Sequence, residues 1–93
     1  METSLQLPSK MKKFYTYIED LNDLKLGRYI RWIHLDNLHK IYNGGFLVKI
    51  DDVCTCKNTK GGLFTFIFEE NLVFQRMSNQ ELIIKFASKM AEN

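Results

Sequence analysis

The chain has 93 residues, 45% of them apolar and 13% aromatic, with 13 basic and 11 acidic side chains for a net charge of +2. This is enough core-building material for one domain and too little for two, and it excludes a disordered chain. The charge is too small to declare a nucleic-acid partner. It leans toward the N-terminal half: residues 1–50 hold eight Lys/Arg against five Asp/Glu, and residues 51–93 hold five against six.

Residues 1–8 read as an arm, in which Leu5 and Leu7 alternate and could dock on the body. Ser9 reads as an N-cap. Met11, Phe14, Tyr15, Ile18 and Leu21 follow at helical spacing, which predicts a helix over residues 9–22. Gly27 then forces a turn.

From residue 28 the texture becomes that of a strand, β-branched and aromatic. Tyr29, Arg31, Ile33 and Leu35 would share one face; Arg28, Ile30, Trp32 and His34 would share the other. A connection over residues 36–45 is expected to close on a turn at Asn43-Gly44-Gly45. Further strands are expected at residues 45–50, 53–57, 63–68 and 72–76, with a hairpin turn at residues 58–62. Ser78 followed by Glu81 is a capping box. It opens a helix over residues 79–91, whose apolar stripe is Leu82, Ile83, Phe86, Ala87 and Met90. Five short strands joined by tight turns imply antiparallel neighbours. The expected fold is α+β: a small five-stranded antiparallel barrel or strongly curved sheet over residues 28–76, flanked by the two helices.

The search for chemistry finds no reactive constellation. Cys54 and Cys56 are two apart on a strand, so both point to one face as small core residues with free thiols. His34 and His39 could complete a Cys₂His₂ set on paper, but structural zinc sites converge through Cys-x₂₋₄-Cys turns. Nothing local activates either thiol as a nucleophile. Gly44-Gly45 and Gly61-Gly62 precede no helix that could hold a phosphate. Asp51-Asp52 and Glu69-Glu70 read as solvated turn residues. No catalytic residue, metal or cofactor is therefore expected, and no small-molecule substrate.

Two binding readings are left. The first is a non-catalytic protein-interaction or assembly module, with Phe14, Ile18, Leu82, Phe86 and Met90 as the contact to a protein partner or a second copy. The alternative is a nucleic-acid-binding barrel using Arg28, Arg31, Trp32, Lys40 and Tyr42 as a cationic and aromatic platform. No apolar run reaches the ~18 residues of a membrane span, and residues 1–20 lack the apolar core of a signal peptide. An intracellular location, cytoplasmic or nuclear, is expected.

The stretch with Leu24, Gly27, Ile30, Arg31 and Trp32, followed by Gly44 to Leu47, resembles a short domain in proteins of nucleocytoplasmic large DNA viruses. The resemblance covers residues 24–75. It implies a Tudor-like or Src-homology-like barrel that binds or assembles, and makes a minor virion or virus-factory component an expectation. It carries no catalytic residues.

Overall fold

The computed structural model describes residues 7–91. Two helices flank a six-stranded antiparallel sheet: α1 (Ser9–Phe14), β1 (Tyr15–Ile18), β2 (Tyr29–His34), β3 (Tyr42–Lys49), β4 (Val53–Lys57), β5 (Leu63–Ile67), β6 (Asn71–Arg76) and α2 (Asn79–Ala91). Short 3-10 turns lie at Leu21–Asp23 and Phe68–Glu70.

The expected five-stranded barrel is not what forms. The strand order is β1-β6-β2-β3-β4-β5, so the sheet is open and ends at β1 and β5. Closing the five expected strands would need β5 to pair with the outer edge of β6, but β1 occupies that edge and β5 does not pair with β1. The five expected strands are all present; the sixth, β1, takes the edge that a barrel would have used.

That sixth strand replaces the second half of the expected first helix. Met11, Phe14, Tyr15 and Ile18 satisfy helical spacing, yet Tyr15 to Ile18 are β-branched or aromatic and pair with Arg76 to Val73. As a strand, the segment sends Tyr15 and Ile18 to opposite faces, where each is buried in a different apolar cluster. The helix starts at Pro8, which makes no side-chain cap, rather than at a capping Ser9. Of the expected arm, residues 1–6 lie outside the described residues, and Leu7 packs against the second cluster.

One cluster fills the inner face, with Ile18, Leu24, Ile30, Trp32, Leu47, Cys54, Cys56, Phe66 and Val73. The other, Met11, Tyr15, Ile33 and Phe74, lies on the outer face beneath α1. Bulges in the β2–β3 and β3–β4 ladders add local bend. Gln75 is the buried polar residue of the core. Its Oε1 accepts from Lys25 N at 2.8 Å and its Nε2 donates to Asp23 O at 3.3 Å, so the loop after β1 is tied to β6 with both amide groups satisfied.

Asn43-Gly44-Gly45, expected as a turn, lies inside β3. These glycines serve close packing: a Cβ on Gly44 would overlap the Trp32 ring, and Gly45, at φ +125°, leaves room for the Lys57 carbonyl. The expected hairpin at residues 58–62 does form, with Asn58 N donating to Gly62 O at 2.9 Å. Gly61 there has φ +87° and open space around it.

Gly44→Ala is therefore expected to destabilise by about 2–3 kcal/mol, lowering the melting temperature by roughly 10–20 °C. Gly61→Ala, which meets only the backbone preference, should cost about 1 kcal/mol. Thermal unfolding followed by circular dichroism ranks the two, and an equal or reversed ranking contradicts this packing.

Candidate functional site

Of the residues expected to form a nucleic-acid platform, Trp32, Tyr42 and Lys40 are brought together, and Arg28 and Arg31 are directed elsewhere. Arg28 Nη1 donates to Glu81 Oε1 at 2.6 Å and to the Arg76 carbonyl at 3.1 Å. Trp32 is buried in the inner cluster, stacked between Tyr42, at 6.1 Å between centroids, and Phe66, at 4.6 Å. At 7% exposure it offers little ring surface to a base. Lys40 lies over Tyr42 at 4.5 Å. Arg31 points to the outer face, because successive strand residues alternate. Its guanidinium lies 5.1 Å from the Tyr15 ring centroid and 6.0 Å from that of Tyr29. Arg31 and Trp32, adjacent in sequence, thus serve opposite faces of β2.

The residues expected at a partner interface also divide. Ile18 is buried in the inner cluster and is removed from that set. Phe14 is half-buried against the outer cluster, with the Arg76 guanidinium 5.3 Å from its ring. Leu82 is half-buried. Phe86 and Met90 are exposed, as are Ile83 and Ile84. Ile84 falls outside the stripe read from the sequence.

The placement of α2 explains this division. The capping box forms as expected: Glu81 N donates to Ser78 Oγ at 3.1 Å, and Ser78 N donates to Glu81 Oε1 at 2.8 Å. The same carboxylate takes the Arg28 hydrogen bond and sits 3.7 Å from Lys25 Nζ. One turn on, Lys85 Nζ donates to the carbonyls of Lys12 and Lys13 at 3.0 and 3.2 Å, capping the C-terminal end of α1. Glu81 and Lys85, at i and i+4, define the side of α2 that meets the body. Ile83, Phe86, Ala87 and Met90 lie on the opposite side. The helix is amphipathic, but its polar side faces inward. No residue of α2 is buried.

The groups considered for catalysis are dispersed or inert. Cys54 and Cys56 carry free, buried thiols on the inner face. Burial, with the neighbouring Cys54, pushes the Cys56 thiol up to about 12. Burial also raises Cys54, whose Sγ donates to the Asp51 carbonyl at 3.2 Å. His34 lies at the end of β2, 3.8 Å from Asp36 and 4.0 Å from Glu70, and its Nδ1 accepts from Asp36 N. His39 is in the exposed β2–β3 connection. Among the described residues, no three His, Cys, Asp or Glu side chains group as a metal site would need.

Clefts among the described residues include one of about 330 Å³ beside Trp32, His34, Tyr42 and Phe66, and two more. Of these two, one of about 800 Å³ is lined by Glu19, Asp20, Asp52 and Glu69 with Leu21, Ile67 and Phe68. The other, about 350 Å³, is lined by Tyr15, Tyr29, Arg31, Phe46 and Arg76, with no carboxylate among them. Tyr15, Phe46 and Arg76 were absent from the sequence-based platform. Their signal is the β-pairing register rather than proximity along the chain.

Compared with protein-family models, curated proteins and solved structures, the chain matches none. Among the described residues, no helix is long and apolar enough to cross a membrane.

The attachment of α2 is pH-dependent. Glu81 is held down to about 2, from an ordinary 4.5, first by the hydrogen bond from the Ser78 backbone and then by Arg28, against the opposing effect of burial. A depressed carboxyl stabilises the fold above its unfolded value, and that contribution is lost as pH falls through the folded one. Helicity of α2 should therefore decline as pH drops from about 4.5 to about 2. Glu81→Gln should show reduced helicity already at pH ~7 and a flatter acid profile, losing about 1 kcal/mol or less because Glu81 is partly solvent-screened. Far-ultraviolet circular dichroism across this range checks both.

Proposed function

We propose that this protein is a non-catalytic assembly module that self-associates through the outward apolar side of α2. The single supporting observation is the inverted helix. Met90 is 75% exposed, Ile83 66% and Ile84 58%, while the charged Glu81 and Lys85 are turned toward the protein's own body. A helix that only covered its own sheet would bury the apolar side instead.

The favoured occupant is a second copy of the chain. The outward side carries no charge, so two copies can pair it with itself about a two-fold axis, the commonest symmetry of soluble oligomers. Ile83 and Met90 are one heptad apart with Phe86 between them, the spacing at which two helices pack side by side. Polar anchoring holds the helix in place without consuming the surface that pairs. The reading extends to a minor structural component of a virion on the strength of the sequence resemblance alone.

Light scattering coupled to size exclusion should find a dimer at micromolar concentrations. Ile83→Glu and Met90→Glu should each shift it to monomer with the circular dichroism spectrum unchanged, since both residues are largely exposed. A strict monomer for the unmodified chain at ~100 μM, or a dimer indifferent to both substitutions, overturns the proposal. Capture of a different protein by α2 without self-association overturns the second-copy occupant.

A further inference from the structure

We infer that the outer face of the sheet binds single-stranded nucleic acid, along a row that runs across the strands from Arg76 through Tyr29 and Phe46 to Lys57. The register assembles this row from four strands. Tyr15 pairs with Arg76, Phe46 pairs with Tyr29, and Lys57 pairs with Phe46. In the β2–β6 ladder Ile30 stands opposite Gln75, so Tyr29 lies alongside Arg76 on the next rung. The order is cation, aromatic, aromatic, cation. At ~4.8 Å per strand the two cations lie roughly 14 Å apart.

The row borders an open groove of about 350 Å³, where Arg31 adds a second guanidinium. Arg31 is poised but unsatisfied. Its plane rests on Tyr15 and Tyr29, and its Nε is buried with no hydrogen-bond partner. Nε has essentially no accessible surface, so an incoming acceptor would meet the Nη groups, and a phosphate oxygen is the acceptor that guanidinium geometry fits best. Among the described residues, neither Arg31 nor Arg76 is within ion-pair distance of a carboxylate.

Phe46 is 43% exposed and meets Tyr29 edge-to-face at 5.3 Å, leaving ring surface open beside the cations. Tyr17, on the same face, is likewise exposed. Beyond Arg76, whose guanidinium stacks on Phe14, α1 contributes Lys10, Lys12 and Lys13 and no acid. The carboxylates Glu19, Asp20, Asp52 and Glu69 are gathered around the cleft of about 800 Å³.

This segregation distinguishes between ligands. Cations spread across a face fit a polyanion rather than one phosphate. Exposed rings among them fit a polyanion with aromatic faces to stack. A duplex hides its base faces, whereas a single strand offers them. The site is independent of α2's outward side, so either reading can fail without the other.

The test is fluorescence anisotropy with labelled ~20-nucleotide single-stranded DNA and RNA at about 50 mM salt, using the full chain. Binding should weaken steeply as salt rises. Arg76→Glu and Phe46→Ala, both at exposed positions, should each weaken it about tenfold or more. Arg31→Gln should do the same, with folding checked by circular dichroism. Lys40→Glu, away from the row, should change affinity less than about twofold. No binding to either strand at low salt overturns the inference. So does equal affinity in the Arg76 and Phe46 variants, an equal preference for duplex, or equal competition by poly-glutamate.

Discussion

The double pairing of β6 is the constraint from which the architecture follows. With β2 on one edge and β1 on the other, β6 has no hydrogen-bonding edge left for β5. Nor does β5 pair with the free edge of β1, so the sheet stays open and both of its faces must be dealt with. The inner face is filled by the larger cluster around Trp32 and Leu47. Among the described residues, the outer face is covered where α1 lies over β6 and β2, through Met11 against Ile33 and Phe74. Over β3 to β5 it stays open, with Val53, Leu63 and Ile67 exposed. A chain of this size has little surplus to spend on covering a second face, since small domains bury a modest share of their surface.

The same constraint disposes of α2. The chain leaves β6 at Arg76 beside the start of β1, and Met77 N donates to the Phe14 carbonyl at 2.8 Å. The following helix therefore starts at the rim of the sheet, next to the end of α1. What it meets there is polar: the Arg28 guanidinium and the last carbonyls of α1. Glu81 and Lys85 are matched to those groups, and the apolar residues point elsewhere as a result. One carboxylate serves as helix cap and as anchor to the body.

Much of this was legible in the sequence where the signals are local. The capping box at Ser78 and Glu81 is complete within four residues and formed as read. The five central strands announced themselves through β-branched and aromatic residues between turn formers. The helix expected over residues 9–22 gives way to β1 because Tyr15 to Ile18, though part of a helical stripe, are all β-branched or aromatic. The arbiter is β6, which lies more than fifty residues further along. Gly44 and Gly45 read as a turn because glycine signals freedom of backbone. Their role here is the absence of a side chain, beneath Trp32 at Gly44 and beside the Lys57 carbonyl at Gly45, which requires knowing where the ring and that strand go. The cationic and aromatic platform was drawn from neighbours in sequence, although strand alternation separates Arg31 from Trp32. Phe46 and Arg76 join Arg31 through the register of distant strands.

The two thiols give the molecule an internal clock. Cys54 and Cys56 are sealed in the larger cluster, and burial keeps both protonated. A reagent that attacks thiolates can reach them only when β4 is uncovered. That strand sits between β3 and the edge strand β5, whose Phe66 packs in the same cluster, so uncovering it means detaching β5 or opening the cluster. The rate at which the native protein consumes such a reagent therefore reports its breathing directly, with no probe added to the chain.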